Sequence, residues 1–153
     1  MAKLGLPKLK LPRLVADLPA DVTERDPDFI REMMPRLWLA AGLYFRAEVN
    51  GLDLVPDEPV LFVGNHSGGA SAPDSFVFHL AYLTKFTVDG RPLFSLGHQI
   101  VTGAPVFGKY ARKFGVVTAG FEAAVQILRD GNSVLVYPGG DVDALRPWFD
   151  RNK

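Results

Sequence analysis

Apolar residues recur at helical spacing through Ile30, Met33, Met34, Leu37, Trp38, Ala41, Tyr44 and Phe45, and Asp26-Pro27 supplies an N-cap and a first helical residue. A helix is therefore expected from Pro27 onward. Pro35 should kink or split it, because proline has no amide hydrogen for the helical ladder. The stripe suits packing on the domain's own sheet or lying on a membrane, where Trp38 and Tyr44 would fit the interface. Short β-rich runs at Phe45–Val49 and Pro59–Gly64 read as strands joined through Asn50-Gly51 and Val55-Pro56-Asp57.

Further along, Ser75–Thr84 reads as a helix. Thr87–Asp89 and Pro92–Leu96 read as short strands around Asp89-Gly90. The segment from Gly97 to Phe107 is apolar and loop-like, without an acidic, lysine or arginine residue. Phe107–Phe114 is an expected helix, followed by a strand at Gly115–Val117. Phe121–Arg129 is a helix closed by Asp130-Gly131, and Ser133–Tyr137 is a strand. This recurrence of strand, loop and helix predicts an α/β fold, a layered sheet with flanking helices whose ligands gather outside the strand ends.

At 153 residues with 48% hydrophobic content, the chain can build one domain with its own core. We divide it into a basic and apolar N-terminal segment, 1–25, flexible or lying on a membrane surface, and a domain spanning 26–153. In the first segment leucines alternate with Lys3, Lys8, Lys10 and Arg13, a composition that would suit anionic lipid. Seventeen basic residues balance seventeen acidic ones, so no global field draws the chain to nucleic acid. Without cysteine there is no disulfide and no thiolate chemistry. The longest strongly apolar run, Leu37 to Phe45, has nine residues, against the ~20 needed to cross a bilayer.

The chemistry concentrates at Leu61–Phe76. A buried strand runs into Gly64-Asn65-His66, then into the small residues Ser67 to Ala72, and Pro73-Asp74-Ser75 opens a new helix. A histidine at a strand end with a carboxylate nearby suits general-base catalysis, since the carboxylate fixes the tautomer of neutral imidazole. The alternative is a capping Asp74 beside an unrelated loop His66. His79, five residues past Asp74, falls on another helix face, so the two do not form a joint metal site.

Ala47-Glu48-Val49-Asn50-Gly51-Leu52-Asp53-Leu54-Val55-Pro56, followed by Pro59-Val60-Leu61-Phe62-Val63-Gly64-Asn65-His66, resembles the opening block of the glycerolipid acyltransferase family. That family comprises the bacterial phospholipid-synthesis acyltransferases and their lysophospholipid relatives. Pro105-Val106-Phe107-Gly108 to Gly115-Val116-Val117 is similar to its second block, and Gly131-Asn132-Ser133-Val134-Leu135-Val136-Tyr137-Pro138-Gly139-Gly140 to its third. Three features differ. Residues 67–73 separate His66 from Asp74, seven where the family has four. Tyr137-Pro138-Gly139-Gly140 stands where the family reads Phe-Pro-Glu-Gly. Val117 is followed by Thr118-Ala119-Gly120 without the usual arginine.

The resemblance implies an acyltransferase that moves a fatty acyl group from acyl-CoA or acyl carrier protein to a hydroxyl of a glycerolipid or lysophospholipid. No metal or redox cofactor is expected beyond that co-substrate. His66 would be the general base and Asp74 its orienting partner. Ser67, Gly68, Gly69, Pro138, Gly139 and Gly140 are candidate substrate-binding positions, with Lys109, Arg112 and Arg146 as cationic clamps for an anionic acceptor. The expected location is cytoplasmic, peripherally on the inner face of the membrane. Family members continue past the third block, so the resemblance also implies an amino-terminal portion or a shortened relative. Three alternatives stay open: transfer to a neutral alcohol or diacylglycerol, a non-catalytic or incomplete lipid-associated domain, and a thioesterase or lipid hydrolase using Ser67 or Ser71. Against the last, there is no Gly-x-Ser-x-Gly elbow.

Overall fold

The computed structural model describes residues 21–66 and 73–140. The expectations for the N-terminal leucine and lysine segment up to residue 20, for Ser67, Gly68, Gly69 and Ser71, and for Arg146 lie outside the described residues.

The first helix, α1, spans Pro27–Ala40, with Asp26 as N-cap accepting from the Phe29 amide at 3.0 Å. It runs through Pro35 unsplit and widens into a π-helical turn at Ala41–Phe45. Arg46, at φ 47°, ends it in the left-handed region. The strand expected at Phe45–Val49 does not form. Ala47 bonds back to the Ala41 carbonyl at 3.3 Å, and Ala47 and Val49 bury against Ala41, Val77 and Leu80, so packing on helices replaces a ladder.

After a 3-10 turn at Leu52–Leu54 comes β1 at Leu61–Val63, then α2 at Pro73–Phe86, β2 at Leu93–Gly97 and α3 at Gln99–Thr102. The chain continues with α4 at Phe107–Lys113, β3 at Val116–Thr118, α5 at Phe121–Arg129 and β4 at Ser133–Val136. Two expectations are corrected here. Thr87–Asp89 is the turn that closes α2, with Thr87 at φ 63° and Gly90 so close to the Phe86 carbonyl that a Cβ would clash with its oxygen. The apolar stretch after Gly97 folds into α3, capped by His98, whose Nδ1 accepts from the Ile100 amide at 3.1 Å.

The four strands are all parallel, in the order β1-β4-β2-β3. Right-handed crossovers then place α2 and α4 on one face and α5 on the other. Tyr82, Leu93 and Leu135 fill the α2 side, with Phe62 packed beside them. Phe94, Val117, Ile127 and Val134 fill the α5 side. Outside α2, α1 contributes Ile30, which packs on Leu83 and Val88. Two ion pairs, Arg112 to Glu24 at 2.7 Å and Lys113 to Asp26 at 2.8 Å, fasten α4 to the segment entering α1. Because every strand points the same way, the ends of all four strands share one rim. No described helix is long and apolar enough to cross a membrane.

Candidate active site

Adjacency of β1 and β4 assembles the site. Val63 is in register with Val136, and the Gly64 amide continues the ladder by donating to the Val136 carbonyl at 3.1 Å. The next residues, Gly64-Asn65-His66 on one strand and Tyr137 on the other, therefore leave the sheet side by side. A Cβ on Gly64 would sit 2.9 Å from Tyr137 Cε1, so only glycine lets the phenol ring lie across that position. It reaches His66, and the two rings stack with centroids 4.1 Å apart and planes 9° from parallel.

Asp74 comes from the first turn of α2, behind Pro73. Its Oδ1 accepts from the Ser75 amide at 2.9 Å, which holds the carboxylate at the positive end of the helix. His66 Nδ1 lies 3.2 Å from Asp74 Oδ2 and 3.3 Å from Oδ1. The seven intervening residues do not keep the pair apart. A carboxylate can only accept, so the Nδ1 hydrogen faces Asp74 and Nε2 is left with its lone pair. The side chains are 17% and 18% exposed, shielded from bulk water yet within reach of a substrate.

Tyr137 is held protonated. Burial pushes its phenol above the usual range, a hydrogen bond from Ser75 opposes that rise, and the Asp74 charge adds to it. Pro138-Gly139-Gly140 turns away on the same rim, with the Gly140 amide donating to the Tyr137 carbonyl at 3.0 Å and Gly140 at φ 49°.

Of the basic candidates, Lys109 and Arg112 are not brought to the imidazole. Both lie on α4, which leads into β3 at the far edge of the sheet from β1. Arg112 is committed to Glu24 and also donates to the Thr102 carbonyl. Lys109 is exposed and makes no ion pair among the described residues. His79 is buried in α2 behind the sheet, with Nδ1 2.9 Å from Ser95 Oγ and no partner for Nε2 among the described residues. Burial, reinforced by the Arg25 charge, pushes it down to about 4, so it stays neutral.

Tyr137 is the residue that sequence reasoning missed. The available signal was a tyrosine one place before the proline of the third block, where the resembling family has phenylalanine.

His66 and Asp74 thus meet at the carboxyl rim of a parallel sheet. The Acyltransferase family model matches residues 46–151. The chain belongs to the acyltransferase family. This acyltransferase domain is also 32% identical over 130 residues to uncharacterized proteins of Mycobacterium bovis and of two strains of Mycobacterium tuberculosis. Those matches cover 84% of the chain and 36% of each relative, so the chain spans about a third of the length of the curated relatives it matches. No solved structure matches it significantly.

Proposed function

We propose that the protein transfers a fatty acyl group from an acyl thioester, acyl-CoA or acyl carrier protein, to a hydroxyl of a glycerolipid or lysophospholipid. The contact of His66 with Asp74 is the observation that carries this reading. Nε2 takes the proton of the acceptor hydroxyl as its oxygen attacks the thioester carbonyl. The tetrahedral oxyanion then collapses, breaking the carbon–sulfur bond, and the imidazolium returns the proton to the departing thiolate. Pro138 has no amide hydrogen and that of Gly140 is taken by Tyr137, which narrows the oxyanion donors of that loop to Gly139. The Gly68-Gly69 amides are the other candidates.

The acceptor is chosen by charge. Engagement of Arg112 with Glu24, together with Gly139 in place of the family glutamate, favours a second reading in which the acceptor is a neutral alcohol or diacylglycerol. Labelled acyl-CoA offered to the intact protein with lysophosphatidate, with glycerol 3-phosphate and with diacylglycerol decides between them. Faster transfer to the phosphate acceptors supports the first reading, and faster transfer to diacylglycerol the second. Thioester hydrolysis indifferent to every acceptor would overturn both.

Ile100, Val106, Phe107 and Phe121 are 77%, 69%, 64% and 79% exposed, and all follow the carboxyl ends of β2 and β3. Between Gly90 and Phe121 the charged residues are Arg91, Lys109, Arg112 and Lys113, with no acidic residue among them. Arg91, Arg112 and Lys113 are paired with Asp57, Glu24 and Asp26, so the greasy rim carries the exposed Lys109 beside Phe107, and this supports work at an anionic membrane surface, peripherally on its inner face. Flotation with anionic vesicles is expected to carry the protein upward. Ile100→Ser with Phe107→Ser should weaken that binding by about tenfold or more, since each buried apolar side chain contributes about 1.5–3 kcal/mol. Equal flotation of the variant would place the lipid contact elsewhere.

A further inference from the structure

We propose that Tyr137 is a positioning residue for His66, holding the plane of the imidazole so that Nε2 stays turned toward the acceptor hydroxyl. This deepens the general-base reading above and rests on it. Asp74 meets the ring at one atom: both carboxylate oxygens lie 3.2–3.3 Å from Nδ1. A contact at one edge leaves the ring free to swing about the line through that contact, and the χ2 torsion of histidine is intrinsically broad. The face contact removes this freedom. With Tyr137 parallel to within 9° at 4.1 Å, any swing drives an edge of the imidazole into the phenol.

Tyr137 is itself fixed from two directions. Its backbone follows β4, which is paired to β1, and its ring lies over the bare Cα of Gly64. The edge of the imidazole is thus held from the first turn of α2 and its face from the end of β4. A π face also favours the imidazolium that forms as the proton is taken, an attraction stronger in the transition state than in the resting site.

The intact protein with Tyr137→Phe and with Tyr137→Leu separates the ring from the hydroxyl. Phenylalanine keeps the stack, so kcat should stay within about threefold of the parent, whereas leucine should lower kcat by about 10- to 100-fold with KM for both substrates within about threefold. NMR of the His66 ring protons gives a readout independent of activity. The ring-current displacement should persist in Tyr137→Phe and vanish in Tyr137→Leu. If the leucine variant does not fold, Tyr137→Met fills the space with a flexible apolar chain and makes the same comparison.

Undiminished kcat in Tyr137→Leu, where His66→Ala is inactive, overturns the positioning role and leaves the base intact. A rise in KM with unchanged kcat overturns it too, since Tyr137 would then be binding substrate. Full activity in His66→Ala removes the base, and the positioning role falls with it.

Discussion

His66→Ala is expected to lower acyl transfer by the intact protein about 10²- to 10⁴-fold, the usual contribution of a positioned general base. The expectation comes from geometry. Asp74 occupies Nδ1, so Nε2 is the ring's acceptor, and the side chain is 17% exposed at the rim where the strands end. The truncation deletes that acceptor without opening the core, because the buried clusters are made by other residues. Urea denaturation should therefore change little while the rate collapses. Asp74→Asn should also slow transfer with the fold intact, since an amide can donate as well as accept and no longer enforces the tautomer. Initial rates with labelled acyl-CoA, read beside the denaturation curves, check both.

Acidification provides the second large effect, centred on His79. Its folded value is pushed from 6.5 down to about 4 by burial and then by the Arg25 charge. Below pH 6.5 the unfolded chain takes up a proton that the native state refuses, so stability is full above that pH and is lost as pH falls toward 4. The loss between pH 7 and pH 4.5 is expected to be roughly 2 kcal/mol, because one bound proton of difference between the two states costs about 1.4 kcal/mol for every tenfold rise in acidity. His79→Gln cannot titrate and can still meet Ser95, so it should flatten this limb of the profile. Urea denaturation of both proteins at the two pH values reads it directly. Parallel pH dependence in the two would locate the acid sensitivity in other groups.

What could be read from residues alone was whatever local chemistry decides. The Asp26-Pro27 start of α1, the bounds of α5 and the Gly131 turn into β4 follow from caps, periodicity and a glycine at φ 82°. Local signals failed where the chain had two outlets for the same apolar residues. Ala47 and Val49 look like a strand, yet Arg46 turns left-handed and sends them against helices. Asp89-Gly90 looks like a hairpin turn, yet in a parallel sheet it ends a helix instead.

The site divides in the same manner. His66 and Asp74 were legible as residue types at the ends of a strand and a helix. Their contact was not, because spacing along a loop does not fix the distance across it. The role of Tyr137 was hidden for a stronger reason: it meets His66 only because β4, last of the described strands, inserts beside β1, the first of them. Arg112 was offered as a clamp because its charge is plain in the sequence, while its partner Glu24 lies 88 residues away.

The central claim is that His66 and Asp74 act as one unit, and a double-mutant cycle on the rate of acyl transfer tests it most directly. Measured in the intact protein, Asp74→Asn should slow the parent strongly and change the His66→Ala variant by less than about threefold, since the carboxylate has nothing left to orient. If Asp74→Asn instead slows both backgrounds by the same factor, the two residues act independently and the pairing has no part in catalysis.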